Sequence, residues 1–400
     1  MEFDMVDNAA LGTVIKVVGV GGAGGNAVQH MINKGMAGVE FIAANTDAQA
    51  LSANSAHNII QIGESGLGAG MRPEVGRQLA EQSRMRIEDA LRGAHMVFIA
   101  AGMGGGTGTG AAPIVAEVAK NLGALTVAVV SKPFSYEGQK CMDVADAGLE
   151  ELSKHVDSLI VILNEKLEEI YEDDSMLEWM KHADDVLNNA VAGIAEIINV
   201  PGHINVDFND VKTIMSEQGK AMMGTATAAG VDRARIAAEQ AVASPLLDGI
   251  DLSGARGVLV NVTASRGLKG KEIKEVMAAV RAFAAPDAAI AQGIAYDDAM
   301  GDELRVTVVA TGLGKNKKSI SLVQPQQVLR TGTYGAPMMS GTPGVTGGVT
   351  MGSAAGAGAM DGMKQPAVWR REQASEQVQA MQRNGVETYD IPAFLRKQAD

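Results

Sequence analysis

The sequence predicts an α/β protein: a doubly wound parallel-sheet domain, a long central helix, a second, smaller α/β domain, and a disordered C-terminal linker ending in a short tail peptide. Short Val/Ile/Leu-rich segments alternate with segments of helical spacing through the first half of the 400 residues, which is typical of a parallel sheet covered on both faces. A long helical segment then stops before a Pro-Gly pair, a helix breaker. Glycine-rich sequence almost without charge occupies residues 332–362, and it has too little apolar surface to form a core.

The elements follow from these patterns in chain order. Strands are predicted in the first domain at residues 14–19, 39–44, 58–62, 96–101, 125–130 and 158–163. Helices are predicted at residues 73–90, 111–120, 141–155 and 176–199, and the second domain is predicted to contain strands at 257–263, 288–295 and 304–311 with helices at 232–242 and 271–283. The predicted divisions are a flexible N-terminus (1–11), a first α/β domain (12–175), a central helix and the start of a loop (176–204), a second domain (205–316), a linker (317–388) and a tail (389–400).

Composition narrows the classes of function. The net charge of −13 argues against a surface built for nucleic acid, which requires a basic footprint. The chain contains one cysteine, so no intrachain disulfide forms and a reducing compartment is expected. The acidic N-terminus lacks an apolar signal core, and no apolar run approaches the roughly 20 residues of a membrane span. We expect a cytoplasmic protein without direct membrane insertion.

Glycine loops follow three predicted strands. Residues 102–110 hold six glycines and two threonines between a strand and a helix, and such a loop lets backbone N–H groups and the helix dipole face an anion. Residues 19–26 and 66–73 form two further loops. Three loops at one sheet edge predict a polyphosphate site, in which Thr107 and Thr109 offer hydroxyl donors. The GxxxxGK(S/T) motif of P-loop enzymes does not occur.

A competing interpretation is an NAD-dependent oxidoreductase. Gly19, Gly21 and Gly24 match the GxGxxG dinucleotide fingerprint, and Asp47 lies about where a ribose-binding carboxylate is expected. This alternative leaves the 104–110 loop unused.

The 104–110 loop resembles the signature loop of the tubulin/FtsZ family of GTPases. Collinear resemblances extend over about residues 14–314 and return in the last twelve residues; they include segments 45–47, 132–134, 137–138, 156–160, 205–210 and 254–257. The resemblance implies a GTP/GDP site at the carboxyl edge of the first sheet, with Mg²⁺ accompanying the nucleotide. The implied nucleotide-binding residues are Gly21, Gly22, Ala23, Gly24, Gly25, Asn26, Asn45, Ala69, Gly70, Met71, Gly104, Gly105, Gly106, Thr107, Gly108, Thr109, Gly110, Glu137, Cys141, Asn164 and Asp184.

Within that set, the resemblance assigns the ribose to Glu137 and Asn164 and the guanine base to Asn26 and Asp184. A carboxylate can accept hydrogen bonds from both N1–H and the exocyclic amino group of guanine, a donor pair that adenine lacks. A site built on those bonds is expected to reject ATP.

An acidic segment carries the implied catalytic residues Asn205, Asp207 and Asp210. Two carboxylates three positions apart at a helix start can face one point and orient a water molecule for attack on a phosphate, or hold a cation. From this segment alone, a helix-capping role for Asp207 is the better interpretation. The resemblance favours catalysis on the nucleotide of the next subunit in a head-to-tail homopolymer, so that assembly stimulates hydrolysis.

Three positions depart from the family pattern. Cys141 stands where an arginine is usual, Met180 replaces a phenylalanine that stacks on guanine, and Met71-Arg72 replaces a common Ala-Asn pair. A methionine can still contact an aromatic ring. These departures bear on nucleotide affinity and turnover rather than on which nucleotide binds.

The tail is predicted to be a partner-binding peptide. Asp390 can cap a helix that Pro392 begins, with apolar residues on one face and cations at its end. The residues expected to bind are Asp390, Ile391, Pro392, Phe394, Leu395, Arg396 and Lys397. The resemblance implies that membrane-tethering and regulatory division proteins dock there, placing a division-ring filament at midcell on the inner face of the plasma membrane. A non-catalytic scaffold with a structural nucleotide remains the alternative to an enzyme.

Overall fold

The computed structural model describes residues 12–199, 206–217, 219–244 and 255–313. Several predictions therefore lie outside the described residues: the flexible N-terminus, Asn205, the linker and the tail peptide. The predicted divisions between domains also stay a prediction.

The described residues include ten strands, which form one sheet in the order β3-β2-β1-β4-β5-β6-β7-β10-β8-β9. The strands are β1 Ile15–Val20, β2 Glu40–Asn45, β3 Asn58–Gln61, β4 Met96–Gly102, β5 Leu125–Lys132, β6 Ser158–Leu163, β7 Lys220–Ala229, β8 Gly257–Ala264, β9 Ala289–Tyr296 and β10 Glu303–Leu313. The helices are α1 Gly21–Asn33, α2 Ala48–Ser52, α3 Pro73–Gln82, α4 Arg84–Leu91, α5 Thr107–Asn121, α6 Gln139–Ser153, α7 Asn164–Ile170, α8 Met176–Asn199, α9 Phe208–Met215, α10 Arg233–Val242 and α11 Gly270–Phe283.

The first six strands are all parallel. Except in the edge strand β3, where Asn58 and Ile59 are exposed, their side chains are almost wholly buried. Helices α1 and α8 cover one face of the sheet, and α3, α4, α5 and α6 cover the other. The predicted doubly wound domain is confirmed, and each of its strands lies within one or two residues of the predicted position. Since all six strands run the same way, the loops that follow them meet at the carboxyl edge of the sheet.

The second half of the sheet is mixed. Strand β10 pairs antiparallel with β7 and β8, and β8 pairs parallel with β9. Side chains alternate between the faces: Val258 and Val260 pack under α10 and α11, whereas Leu259 joins the core beneath α8. The smaller α/β domain is thus confirmed, and it shares one sheet with the first.

Helix α8 packs tightly on the second half of the sheet. A Cβ added at Gly193 would lie 2.8 Å from Thr307 Cγ2, and one added at Gly293 would lie 2.8 Å from Ile197 Cγ1. Below 3.0 Å something must move, so these glycines allow the helix to lie close to β9 and β10. The central helix is therefore packed against both halves of the sheet rather than separating them.

Two local predictions were wrong. The helix predicted at residues 73–90 is broken at Ser83, whose hydroxyl oxygen accepts a hydrogen bond from the amide of Gly63 at 2.9 Å. Strand β7 was not predicted, because Ala, Met and Gly, which carry little strand signal, outnumber its two strand-favouring threonines.

Candidate functional site

The three glycine loops meet at the carboxyl edge of the parallel strands. A Cβ added at Gly21, after β1, would lie 2.9 Å from the amide nitrogen of Gly108, after β4. A Cβ added at Gly106 would lie 2.8 Å from the amide nitrogen of Arg72, in the third loop. The loops can approach this closely only without side chains at those positions.

These glycines fall into two groups. A Cβ at Gly24, Gly108 or Gly110 would overlap a backbone carbonyl oxygen, of Ala100, Gly102 and Pro73 respectively. Close backbone packing therefore explains why glycine occurs at these three positions. At Gly22 and Gly105, by contrast, a Cβ would meet nothing described within 4 Å. The described residues give no steric reason for glycine at these two positions. Both lie at the carboxyl edge, Gly22 in the first turn of α1 and Gly105 in the loop before α5.

Helices α1 and α5 begin in these loops, at Gly21 and Thr107. Neither has a side-chain cap among the described residues, so their first N–H groups point toward the edge. The aligned peptide dipoles add partial positive charge there. An anion can therefore bind to neutral donors, which fits a chain whose net charge is negative.

The two loop threonines bond within the protein. The hydroxyls of Thr107 and Thr46 lie 2.6 Å apart, and the buried Thr109 hydroxyl accepts a hydrogen bond from the Gly104 amide at 2.9 Å. Both threonines brace the loop, and their predicted role as donors to a phosphate stays a prediction. Thr46, which the sequence did not single out, connects the loop after β2 to the loop after β4.

The third loop has an unusual backbone. Gly70 and Met71 both have positive φ, of 59° and 58°. A left-handed conformation costs a non-glycine residue roughly 1–2 kcal/mol, and Met71 adopts it while 71% exposed. Close contact with Gly106 holds Met71 in this conformation, since a Cβ added at Gly106 would lie 3.2 Å from the Met71 amide nitrogen. Ala69 is buried in the same contact.

A cleft lies beside the first loop. Its lining includes Gly22, Asn26, Asn45 and Asn54, and the amide of Asn54 donates to the carbonyl oxygen of Gly25 at 2.8 Å. The cleft brings together Asn26 and Asn45, which the sequence analysis named separately. Asn26 is exposed, whereas Asn45 is buried.

Three further predicted site residues follow β5 and β6 at the same carboxyl edge of the sheet. Glu137 is exposed, and its Oε1 accepts a hydrogen bond from the Phe134 amide at 2.9 Å. The half-buried Cys141 contacts the signature loop, because a Cβ at Gly104 would lie 3.0 Å from its carbonyl oxygen and 3.5 Å from its Cβ. Asn164, the first residue of α7, is buried, and its Oδ1 has no hydrogen-bond partner among the described residues. An unsatisfied buried acceptor costs about 1–3 kcal/mol unless a ligand satisfies it.

Asp184 lies on α8, next to α1. Burial raises its pKa from 3.8 to about 6; the charge of Asp185 adds to the shift, and His30 opposes it. The adjacent Asp185 is different: burial raises its pKa, but hydrogen bonds from Lys34 and His30 outweigh burial and lower it overall. Asp184 thus remains a desolvated carboxyl in the part of α8 that faces α1. Met180, one turn earlier, is 42% exposed.

The acidic segment lies at the other edge of the sheet. Phe208 contacts the ring of His95 edge to face at 6.3 Å, and His95 directly precedes β4. Asp207 Oδ1 accepts a hydrogen bond from the Asp210 amide at 2.8 Å, so Asp207 caps α9, and both side chains are exposed. Gly102 ends β4, and its seven residues span about 20 Å. The structure therefore does not bring the acidic segment and the glycine loops together within one molecule.

Known families match both halves of the chain. The tubulin/FtsZ family GTPase domain matches residues 14–172, and the FtsZ family C-terminal domain matches residues 219–314. A protein of Pseudomonas putida called cell division protein FtsZ is 49% identical, with full coverage of both chains. The chain belongs to the tubulin/FtsZ family.

Further relatives agree with the tubulin/FtsZ assignment. The Coxiella burnetii protein of the same name is 55% identical over 78% of this chain and 82% of its own length. A solved structure described as an empty FtsZ dimer of M. jannaschii has a TM-score of 0.72 at 44% identity, covering 76% of this chain and 88% of that one. The family resemblance read from the sequence is confirmed, and with it guanine nucleotide binding and GTPase activity as properties of this family.

Membership in the tubulin/FtsZ family removes the NAD-dependent oxidoreductase alternative. The structure gives Asp47 another role, because its Oδ1 accepts hydrogen bonds from the amides of Gln49 and Ala50 and so caps α2. Within the described residues, no helix is long and apolar enough to cross a membrane.

Proposed function

We propose that this protein binds GTP at the carboxyl edge of the parallel strands. The loops at residues 21–26, 69–71 and 104–110 surround the phosphates, Glu137 and Asn164 bind the ribose, and Asn26 and Asp184 read the base. Support comes from three features of the described residues: the open positions at Gly22 and Gly105, the starts of α1 and α5 without side-chain caps, and the Asn164 oxygen without a partner there.

The protein hydrolyses GTP between two molecules arranged head to tail. One observation carries this proposal: Asp207 and Asp210 lie at the amino edge, about 20 Å from the loops that would hold the nucleotide in the same chain. A second copy stacked along the strand direction brings its acidic segment to the first copy's carboxyl edge. Neither copy then has a complete reaction centre alone, and assembly stimulates hydrolysis.

In that centre, the carboxylates of Asp207 and Asp210 orient and polarise a water molecule toward the γ-phosphate. Positioning and electrostatic stabilisation are most of what phosphoryl transfer requires. Mg²⁺ is expected to arrive with the nucleotide, since it prefers phosphate oxygens and water to an all-protein cage. The described residues contain no group of three potential metal ligands, and Mg²⁺ on the phosphates would neutralise charge developing in the transition state.

The polymer that results serves cell division. The curated relatives are called cell division protein FtsZ, and a solved relative is described as a dimer. We infer a cytoplasmic head-to-tail filament that forms a ring at the future septum, at midcell on the inner face of the plasma membrane.

The tail connects that filament to its partners. Its residues, Asp390 to Lys397, lie outside the described residues, and the proposal rests on their sequence pattern. Membrane-tethering and regulatory division proteins bind the tail as a helix. Deleting residues 389–400 should leave polymerisation intact in vitro while abolishing recruitment to the ring, and a loss of polymerisation would contradict this division of roles.

GTPase activity measured against protein concentration tests the shared centre. We expect activity to appear only above a threshold concentration, since two molecules must meet. A straight line through the origin would mean that each molecule carries a complete site. A scaffold with a structural nucleotide predicts no turnover at any concentration.

A further inference from the structure

We propose that Glu168 is a positioning residue for the ribose site: it fixes the turn that carries Glu137 to the helix that begins at Asn164. This inference rests on the proposed function, because it assumes that Glu137 and Asn164 contact the ribose of GTP. Glu168 belongs to none of the motifs found in the sequence, and it acts through other residues rather than by contact with nucleotide.

The turn is a short 3-10 segment, Ser135–Glu137, between β5 and α6. Two successive amides in it are each taken by a carboxylate. The Phe134 amide donates to Glu137 Oε1 at 2.9 Å, and the Ser135 amide donates to Glu168 Oε1 at 2.8 Å. The Ser135 hydroxyl also donates to Glu168 Oε2. Glu168 therefore holds one residue of the turn through two charge-assisted hydrogen bonds, which are stronger than neutral ones.

The position of Glu168 explains why its hydrogen bonds to Ser135 affect the ribose site. Glu168 lies one turn after Asn164 on α7, so the same short helix holds the turn and presents the unpartnered Asn164 oxygen. Glu137 uses Oε1 to close its own turn, and its second carboxylate oxygen can accept a hydrogen bond from a ribose hydroxyl. The distance between the two ribose contacts thus depends on the bond between Glu168 and Ser135.

Aromatic packing supports the turn from the other side. Phe134 is buried and stacks on Tyr136 at 5.5 Å and on Trp179 of α8 at 6.3 Å. Burial raises the pKa of the Tyr136 hydroxyl, and the negative charges of Glu137 and Glu168 raise it further, which fits both carboxylates lying beside this ring. Trp179 connects the turn to α8 and donates from Nε1 to the carbonyl oxygen of Tyr171, directly after α7, at 2.6 Å. Glu168 makes the direct hydrogen bonds from α7 itself to the turn.

The test measures dissociation constants of purified full-length protein for GTP, 2′-deoxy-GTP and 3′-deoxy-GTP. In Glu168→Ala we expect GTP to bind about fivefold more weakly, because two exposed charge-assisted bonds are lost. The preference for GTP over 2′-deoxy-GTP and 3′-deoxy-GTP should shrink. The turnover number at saturating GTP should stay within about twofold of the wild-type value. Glu168→Gln keeps an acceptor and a donor at the same place, and it should restore most of the preference.

Glu169→Ala is the matched control, because Glu169 is the next residue on α7 and pairs with Lys166 at 2.9 Å. It should bind all three nucleotides like the wild type. In a double-mutant cycle, Ser135→Ala should weaken binding in the wild-type background and have no effect in Glu168→Ala. Hydrogen exchange at the Ser135 amide should accelerate in Glu168→Ala, which reports the contact without any nucleotide.

The outcomes separate the two proposals. If the wild type prefers GTP over the deoxy analogues and Glu168→Ala retains the same preference, the positioning role is overturned while the proposed function stands. Additive effects of Ser135→Ala and Glu168→Ala would also overturn it. If the wild type does not bind GTP, the proposed function fails, and the role of Glu168 fails with it.

Discussion

At the carboxyl edge of the sheet the backbone is fixed by steric contact, whereas at the amino edge two exposed acidic side chains lie at the start of one helix. Gly108 and Gly110 admit no side chain because carbonyl oxygens occupy the space, and Met71 is held in a strained conformation. Within the part of the chain that the structure describes, the hydrogen bond that caps α9 is the only one that the side chains of Asp207 and Asp210 make. A site for neutral backbone donors must be built rigidly, since its donors cannot adjust by rotating side chains. Two carboxylates that meet a partner need only exposure and a fixed helix start.

The largest effect should come from the amino edge. Asp210→Ala removes one of the two carboxylates that orient water, so turnover should fall on the order of 100-fold or more. GTP binding should be unchanged, because the nucleotide lies at the other edge. Steady-state GTPase rates and nucleotide binding, measured on the same preparation, check both statements. As a control, Asp207→Asn keeps a side chain that can cap α9. A loss of turnover in Asp207→Asn would therefore report the loss of charge and not the loss of the cap.

A mixture of two variants tests whether the edges cooperate between molecules. Gly105→Asp places a carboxylate in open space at the carboxyl edge, where it should repel phosphate without disturbing the fold. Each variant alone should be inactive. When the two variants are mixed, Gly105→Asp supplies an intact acidic segment and Asp210→Ala supplies an intact nucleotide site, so GTPase activity should return. A mixture as inactive as its components would argue that each molecule hydrolyses its own nucleotide.

The carboxyl edge can be examined with a smaller change at the same position. Gly105→Ala adds one methyl group where the structure has room, so the free energy of unfolding should change by less than about 1 kcal/mol. GTP affinity should fall about tenfold, because the methyl group occupies space left for the ligand. Isothermal titration and thermal unfolding measure the two quantities. Gly270→Ala, in open space at the start of α11, serves as a control and should leave affinity unchanged. Equal affinities for all three proteins would mean that Gly105 does not face the nucleotide.

Asp184 should give a pH-dependent effect of up to about tenfold per pH unit. Its pKa is raised from 3.8 to about 6, so the carboxylate that accepts from guanine is lost as the pH falls through about 6. GTP affinity should therefore decline below that pH, and the decline should be absent in Asp184→Asn. Binding measured from about pH 8 down to about pH 5 checks this.

The same shift has a consequence for stability. A raised pKa means that Asp184 contributes most stability when protonated, and this contribution is lost as the pH rises through about 6. Without nucleotide, Asp184→Asn should therefore stabilise the protein by about 1 kcal/mol near pH 8, after allowance for solvent screening. Asp185→Asn should destabilise it, because it removes the partner of His30 and Lys34. The same sign for both variants would contradict this account.

The smallest effect is expected at Cys141. It is the only cysteine, so a thiol reagent labels one site, against Gly104 of the signature loop. Labelling should reduce GTP binding or turnover several-fold through steric contact. Cys141→Ser, treated in the same way, should not respond. An unchanged GTPase rate after stoichiometric labelling would place the thiol away from the nucleotide.

The sequence predicted the parallel strands and the glycine loops well, because both leave local signals. Val/Ile/Leu-rich runs mark strands buried on both faces, and glycines in a strand-to-helix turn mark an anion site. Strand β7 gave no such signal, since its extended form depends on pairing with β10, a strand far along the chain. The break at Ser83 likewise depends on a bond to Gly63.

Within the candidate site, the sequence named candidate residues but did not show how the fold holds them. The bond between Glu168 and Ser135 joins residues that are distant in sequence, and no pattern in either segment predicts it. The raised pKa of Asp184 depends on burial between helices, which a sequence does not display. The contact of Phe208 with His95 places Asp210 at the opposite edge of the sheet from Gly105. The sequence alone does not display this contact.

In the proposed head-to-tail arrangement, each molecule carries its glycine loops and its acidic segment at opposite edges of one sheet. This placement fixes the number of complete reaction centres in any row of molecules joined in this way. Such a row contains one fewer working centre than it has members, so a lone molecule has none and a pair has a single one. The member whose glycine loops face solvent keeps its triphosphate, whereas every interior nucleotide can be cleaved. The two ends of the row are therefore chemically distinct, and its direction is determined by the fold of each member.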